Sequence, residues 1–294
     1  MAKAKRLTFP ASTMERVLAC PGSVALEATV PRKETFYTDE GHAAHTLAQW
    51  ALTDGKFNTR AYLGRVIVAH AHKGTPQETK FEFPVDEKMC SRVQEYVDSV
   101  KERLDKYTSD KKVKNVTLYV EKRIDTSGVL GVPGQSGIAD TLIVVEYKDG
   151  TGLISVEDLK YGEKVAVAAK DNKQLLTYGA GALEMFGKDI DIEKVDLVIH
   201  MPRLSHLSRE TVTATDLRAY AKEAQGGVAQ SLSEEKLYQI QGVGALTLNA
   251  GDDQCRFCRA KSICPAFKAA AAKKPANDSR PKYQKKKPPS NPRW

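Results

Sequence analysis

A chain of 294 residues is long enough to bury one sizeable core, and it has no run of about eighteen apolar residues, so a membrane-spanning helix is not expected. Its start, MAKAKRLTFP, is basic without an apolar stretch behind it, so a secretory signal is not expected either and the reading is of a cytoplasmic protein. The net charge of +8 is uneven: from Ala269 to Trp294 eight Lys or Arg stand against Asp278 alone, which leaves a nearly neutral body and a basic tail.

In chain order, STMERVLACPGS has a capping residue followed three places later by Glu15, which predicts a short helix ending near Cys20. DEGHAAHTLAQWAL predicts a second helix, with Ala44, Leu47, Ala48 and Ala51 at helical spacing and His45 beside that stripe. A third, from Asp86 to Lys106, gathers Val93, Tyr96, Val97, Val100 and Leu104 on one side, so the front third reads as mostly helical. NVTLYVEKRID then alternates Val116, Leu118 and Val120. GIADTLIVVEYKDGTGLISVEDLKYG reads as two strands joined by the turn KDGTG, completing a meander. KDNKQLLTYGAGALEMF is a helix, VDLVIHMPR a fourth strand and TATDLRAYAKEAQGGVAQSL a capped helix. The predicted fold class is α/β, a central mixed β-sheet flanked by helices. The tail of Ala, Lys, Pro, Ser and Asn cannot bury enough apolar surface to order itself and is expected to be disordered, with a polyanion as partner.

The charged residues of LISVEDLKYG are out of character for a buried strand. Alternation puts Asp158 and Lys160 on the face of Val156 and turns Glu157 away with Ser155. Asp140, in SGIADTL, begins the partner strand, so the two aspartates can present oxygens to one site. A divalent cation such as Mg²⁺ removes their mutual repulsion, and Lys160 can reach the attacking water or a phosphate. Five cysteines, odd in number and without a signal, point to metal or plain thiols rather than a disulfide framework. Cys255, Cys258 and Cys264 are spaced C-x2-C-x5-C, and Cys20 supplies a fourth thiolate; four thiolates suit zinc or an iron-sulfur cluster, and spacing leaves both open.

GIAD followed by EDLKYG, preceded by EGHAAH and followed by QLLTY, resembles the motif series of the RecB-like PD-(D/E)XK nucleases, in family order from Gly41 to Tyr178. The cysteine arrangement resembles that superfamily's iron-sulfur branch, which includes phage RecB-like exonucleases, the AddB nuclease domain and CRISPR-adaptation exonucleases. The resemblance implies a restriction-endonuclease-like core that hydrolyses phosphodiester bonds in DNA, as an exonuclease in phage recombination or DNA processing within the host cytoplasm. Carried over, it makes Asp140, Asp158 and Lys160 catalytic and gives His45, Asp140, Asp158 and the carbonyl of Leu159 to Mg²⁺ or Mn²⁺. Gln174 and Tyr178 would line the DNA channel, with Lys285, Lys286 and Lys287 of the tail as further DNA contacts. Glu121 resembles a carboxylate the branch often keeps, though a solvated strand residue is nearly as good a reading. The resemblance also favours a [4Fe-4S] cluster on Cys20, Cys255, Cys258 and Cys264 over structural Zn²⁺, clasping the C-terminal segment to the N-terminal helix, with Cys90 a free thiol on a helix.

The expected organisation is then an N-terminal helical region (1–110) with Cys20 and His45, a nuclease core (111–250), a cluster-binding segment (251–268) and the tail (269–294). The partner is DNA with a free end or a single strand. Since no G-x-x-x-x-G-K-[ST] loop is present, unwinding would need a helicase or recombination partner. The alternatives from other classes are a flap or junction endonuclease and a non-catalytic DNA-binding module that kept the fold.

Overall fold

The chain is described by a computed structural model that covers residues 7–31, 36–71 and 79–273. Helices α1 (Met14–Ala19), α2 (Ser23–Ala28) and α3 (Phe36–Thr53) lead into a hairpin of β1 (Val66–Ala71) and β2 (Thr79–Pro84). After α4 (Glu87–Ser109) come β3 (Val113–Asp125), the single turn α5 (Ser127–Leu130), β4 (Ser136–Tyr147), β5 (Thr151–Leu159), α6 (Lys173–Phe186), β6 (Asp191–Met201) and β7 (His206–Thr213). The chain closes with α7 (Ala214–Gln241), α8 (Asp252–Arg256) and α9 (Pro265–Lys273). No helix among the described residues is long and apolar enough to cross a membrane.

The main sheet is mixed and five-stranded, ordered β3-β4-β5-β6-β7. Its pairs are antiparallel except β5 with β6, which run parallel; that pairing needs a crossover, and α6 provides it. Strand alternation divides the interior into two cores. Leu142, Val144, Ile154 and Val156 join the core under α6 and α7, whereas Ile143, Val145 and Leu159 join the core under α3 and α4, where Ile67 and Phe83 of the hairpin also pack.

The helices form where side chains both cap and bury. Asp86 accepts from the Met89 N–H at 2.7 Å to open α4, whose Val93, Tyr96, Val97 and Val100 are fully buried at helical spacing. Asn172 caps α6 through the Leu175 N–H, and Thr213 and Asp216 form a reciprocal capping box at the start of α7. Helix α6 lies so close to β3 that a Cβ on Gly181 would stand 2.5 Å from Ile124 Cγ2 and 2.9 Å from the Asp125 carbonyl.

Four features depart from the sequence reading. The front third is not mostly helical throughout, because the β1–β2 hairpin interrupts it with Ile67 opposite Phe83. Strand β7 was not anticipated: HLSRETVT is nearly all polar, with one face exposed to solvent, so its alternation carries no apolar signal. The first helix opens with a 3-10 turn, Ala11–Thr13, so Ser12, the cap expected three places before Glu15, lies inside that turn, and Thr13 at the start of α1 donates to the Pro10 carbonyl and makes no cap. Finally, α9 carries ordered helix to Lys273, into the stretch expected to be disordered from residue 269. Four consecutive alanines explain this, since they need no core to favour a helix.

Two alanine substitutions test the α6 approach with opposite signs. Gly181→Ala should destabilise by about 1–3 kcal/mol from overpacking against β3, despite alanine's better helix propensity. Gly226→Ala in α7, where a Cβ meets nothing within 4 Å, should stabilise by about 0.5–1 kcal/mol. Urea unfolding midpoints of the two variants read both.

Candidate metal and catalytic site

The β4–β5 ladder ends at Thr141 opposite Glu157. One rung further stand Asp140 and Asp158, and there a side chain replaces the backbone acceptor: Asp140 Oδ2 takes the Leu159 N–H at 2.7 Å. The other oxygen, Oδ1, lies 3.3 Å from His45 Nδ1 on α3. Glu121 completes this group. It sits on β3 between Val120, which pairs with Thr141, and Lys122, which pairs with Ala139, and its φ of +51° is a left-handed conformation that a strand residue rarely adopts. Ligand atoms of His45, Glu121 and Asp140 lie within 4.8 Å of one another, and no other trio of His, Cys, Asp or Glu closes that tightly among the described residues.

Asp158 is drawn to the opposite side of the same site. Its oxygens lie 3.0 and 3.2 Å from Lys160 Nζ, and Gln174 Nε2 on α6 donates to Oδ1 at 2.8 Å. Lys160 in turn donates to Gln174 Oε1 at 2.9 Å, while its backbone N–H reaches the His200 carbonyl. Thus Asp158, Lys160 and Gln174 form one closed polar triangle beside the His45, Glu121 and Asp140 group. The expected channel residue Gln174 is a member of this polar cluster, and Tyr178, a turn further along α6, is only 8 % exposed, with its ring against Gly137. Lys285, Lys286 and Lys287 lie outside the described residues.

Electrostatics reflect three carboxylates sharing a small volume. Burial, then the Asp140 charge, pushes Glu121 up to about 7. Burial alone would depress His45, but Asp140, with Asp158 and Glu121 behind it, lifts the imidazole to about 9. Burial and the Asp140 charge raise Asp158 against the pull of Lys160. Asp140 is held below its usual range against burial by His45, the Leu159 N–H and Lys160. The Oδ2 of Asp158 is buried with the Lys160 ammonium 3.0 Å away. Carboxylate oxygens with one imidazole are a donor set for Mg²⁺ or Mn²⁺, and a divalent cation meets the surplus of negative charge. The residues present fit such an ion.

Glu157 faces the other way, as alternation requires. It is fully buried and takes Ser155 Oγ at 2.5 Å, Arg103 Nε at 3.0 Å and His200 Nε2 at 2.7 Å. Burial would raise its carboxyl, but these partners hold it below the usual range. Sequence reading missed Arg103 and His200, since a charged residue on a surface-type helix and a lone strand histidine carry no pattern that marks a buried partner.

The cysteines behave as two kinds. Cys90 is buried in the α3–α4 core with its thiol on the Thr59 carbonyl. Cys20, Cys255, Cys258 and Cys264, from the two ends of the described chain, line one pocket together with Arg16 and Lys261. Three of the sulfurs accept backbone N–H groups: Cys20 from Asn249 at 3.3 Å, Cys255 from Gly251 at 3.4 Å and Cys264 from Phe267 at 3.5 Å. Burial, and then the nearby Glu27 carboxylate, push the Cys258 thiol up to about 11. N–H donors aimed at sulfur suit thiolates, so this donor set fits a thiolate-bound metal.

The model of the family described as "Protein of unknown function (DUF2800)" matches residues 7–288. The chain belongs to that family. The DUF2800 match runs through both constellations, from Cys20 through His45, Asp140 and Lys160 to Cys264.

The two adjacent acids should separate in stability. Glu157→Ala strands Arg103 and His200 in the core and should cost about 3–5 kcal/mol in urea unfolding. Asp158→Asn relieves a like-charge contact with Asp140 and should leave the midpoint unchanged or raise it.

Proposed function

We propose that this chain is a metal-dependent DNA exonuclease with a restriction-endonuclease-like core of the RecB-like type, working in phage recombination or DNA processing in the cytoplasm. The observation that carries the reading is the convergence of His45, Glu121 and Asp140 on one point beside the Asp158, Lys160 and Gln174 triangle. These residues come from α3, β3, β4, the end of β5 and α6, in the order of the motifs they were read from. Among the described residues the trio that closes includes Glu121 rather than Asp158, so the proposed ligands are His45, Glu121 and Asp140, with Asp158 and the Leu159 carbonyl as the further ligands that the motif implies.

When bound, Mg²⁺ or Mn²⁺ would polarise a phosphate oxygen and acidify an attacking water. The chain's own residues do the rest. Asp140, locked by the Leu159 N–H and His45, offers a carboxylate whose position is set before any substrate arrives. Lys160 presents an ammonium held in place by Asp158 and Gln174, which suits it to an oxygen of the scissile phosphate as charge builds there. Gln174 positions that lysine rather than reading sequence.

The second site is proposed to hold a [4Fe-4S] cluster. What supports the cluster over a single zinc is the cysteine arrangement, one distant Cys20 before the core and C-x2-C-x5-C after it, whose four thiols line one pocket. The cluster would join α1 and α2 to the C-terminal segment, a junction that already holds Glu27, buried between Arg16 at 2.8 Å and the Arg259 N–H at 2.7 Å.

End-labelled linear, circular and single-stranded DNA, incubated with Mg²⁺, Mn²⁺ or EDTA, tests the activity. Metal-dependent loss of label from linear DNA only is expected, and Asp140→Ala, Asp158→Ala or Lys160→Ala should abolish it. Full activity in Asp158→Ala would sink the reading. Protein purified without oxygen should be brown with equal iron and sulfide; Cys90→Ser should keep the colour, and loss of any of the other four thiols should remove it and lower stability. A colourless preparation with stoichiometric zinc would exclude the cluster.

A further inference from the structure

The turn between Cys255 and Cys258 carries Phe257, whose side chain is 79 % exposed, matched among the described large hydrophobic residues only by Ile240. A phenylalanine in that position is not there to pack. The turn itself is held from both sides: Cys255 and Cys258 face the pocket, the Cys258 N–H returns to the Cys255 carbonyl at 3.3 Å, and Lys261 Nζ donates to the Arg256 carbonyl at 2.5 Å. The ring is therefore presented on a rigid knob, with little conformational entropy left to lose on binding.

What surrounds the knob is positive. From Gly251 to Lys273 the chain has Arg256, Arg259, Lys261, Lys268 and Lys273 against Asp252 and Asp253. Arg256 and Arg259 flank Phe257 in sequence and are themselves exposed, Arg256 with Asp253 at 3.2 Å and Arg259 donating to the Glu27 carbonyl at 3.3 Å. A bare aromatic face framed by guanidinium and ammonium groups matches a ligand that offers a flat π surface joined to anionic groups, and a peptide apolar patch lacks the second part. A base inside a duplex already has both faces stacked, so the ring can serve only a base that is unpaired.

We propose that Phe257 is a nucleobase-stacking residue and that the Cys255–Cys258 knuckle, with its flanking arginines, is a contact site for single-stranded DNA. This deepens the nuclease reading and rests on it for the identity of the polymer. It assigns the cysteine segment a binding role in addition to a structural one, and it gives the substrate an unpaired stretch.

The test uses the full chain as purified, with its cysteine site intact, in buffer without divalent metal so that nothing is cleaved, and measures anisotropy of a labelled oligo-dT and of a blunt hairpin duplex. Phe257→Ala should weaken oligo-dT binding about tenfold, as loss of one stacked base implies, with the duplex little affected and the salt dependence unchanged. Phe257→Trp should bind as tightly as the parent or more so. Lys268→Gln should instead flatten the salt dependence by about one charge. Equal oligo-dT affinity in Phe257→Ala, or full affinity in Phe257→Leu, would overturn the proposal and make the knob a protein contact. The two readings fail separately: a chain that degrades DNA but ignores Phe257→Ala loses the stacking site alone, whereas one that binds oligo-dT through Phe257 yet cleaves nothing with Mg²⁺ or Mn²⁺ loses the nuclease.

Discussion

The hydrogen bond from the Leu159 N–H to Asp140 is the contact around which the candidate site is arranged. It stands where the β4–β5 ladder would otherwise need one more backbone acceptor, and it lets the two strands part without orphaning a buried N–H. The same carboxylate then reaches His45, which ties α3 to the sheet at that point. One side chain thus ends a ladder, docks a helix and contributes a charge, and Asp158 and Lys160 follow directly behind it on the separating strand.

Concentrating Glu121, Asp140 and Asp158 in one place sets like charges against one another, and the surrounding architecture carries that strain. Glu121 adopts a left-handed backbone in mid-strand, and burial with the Asp140 charge pushes the Glu121 and Asp158 carboxyls upward. On the opposite face of β5 the balance is reversed. Glu157 has Ser155, Arg103 and His200 around it, so its charge is met by partners on that face. His200 belongs to both sides, because its ring holds Glu157 while its carbonyl holds the Lys160 N–H. A carboxylate paired with two cationic side chains under the sheet thus backs a cluster of like charges above it.

The second constellation closes the chain on itself. Cys20 meets Cys255, Cys258 and Cys264 across nearly the whole length of the described residues, and Glu27, Arg16, Arg259 and the Asn249 contacts to Ala19 and Cys20 knit the same junction. Helix α1 also packs on α6 and α7, so whatever fills the thiol pocket is mechanically continuous with the helix that carries Gln174.

Much of this was legible in the sequence wherever a local period or a short motif encoded it. Alternation put Asp158 on the face of Lys160 and turned Glu157 to the other, and helical spacing marked the buried faces of α3 and α4. Cysteine spacing picked out three of the thiols that share a pocket, and the family resemblance added Cys20 and set Cys90 apart. Strand β7 escaped because its residues alternate without an apolar face, and the β1–β2 hairpin because its runs are short and mixed. What the tertiary structure alone decided is which groups meet. The trio closes on Glu121 because of one positive φ, Gln174 bonds Lys160 because α6 crosses over β5, and Arg103 and His200 find Glu157 because two elements pack on one strand. Each depends on contacts between segments far apart in sequence, whose relative placement is set by the packing of two cores and by no pattern within the segments themselves.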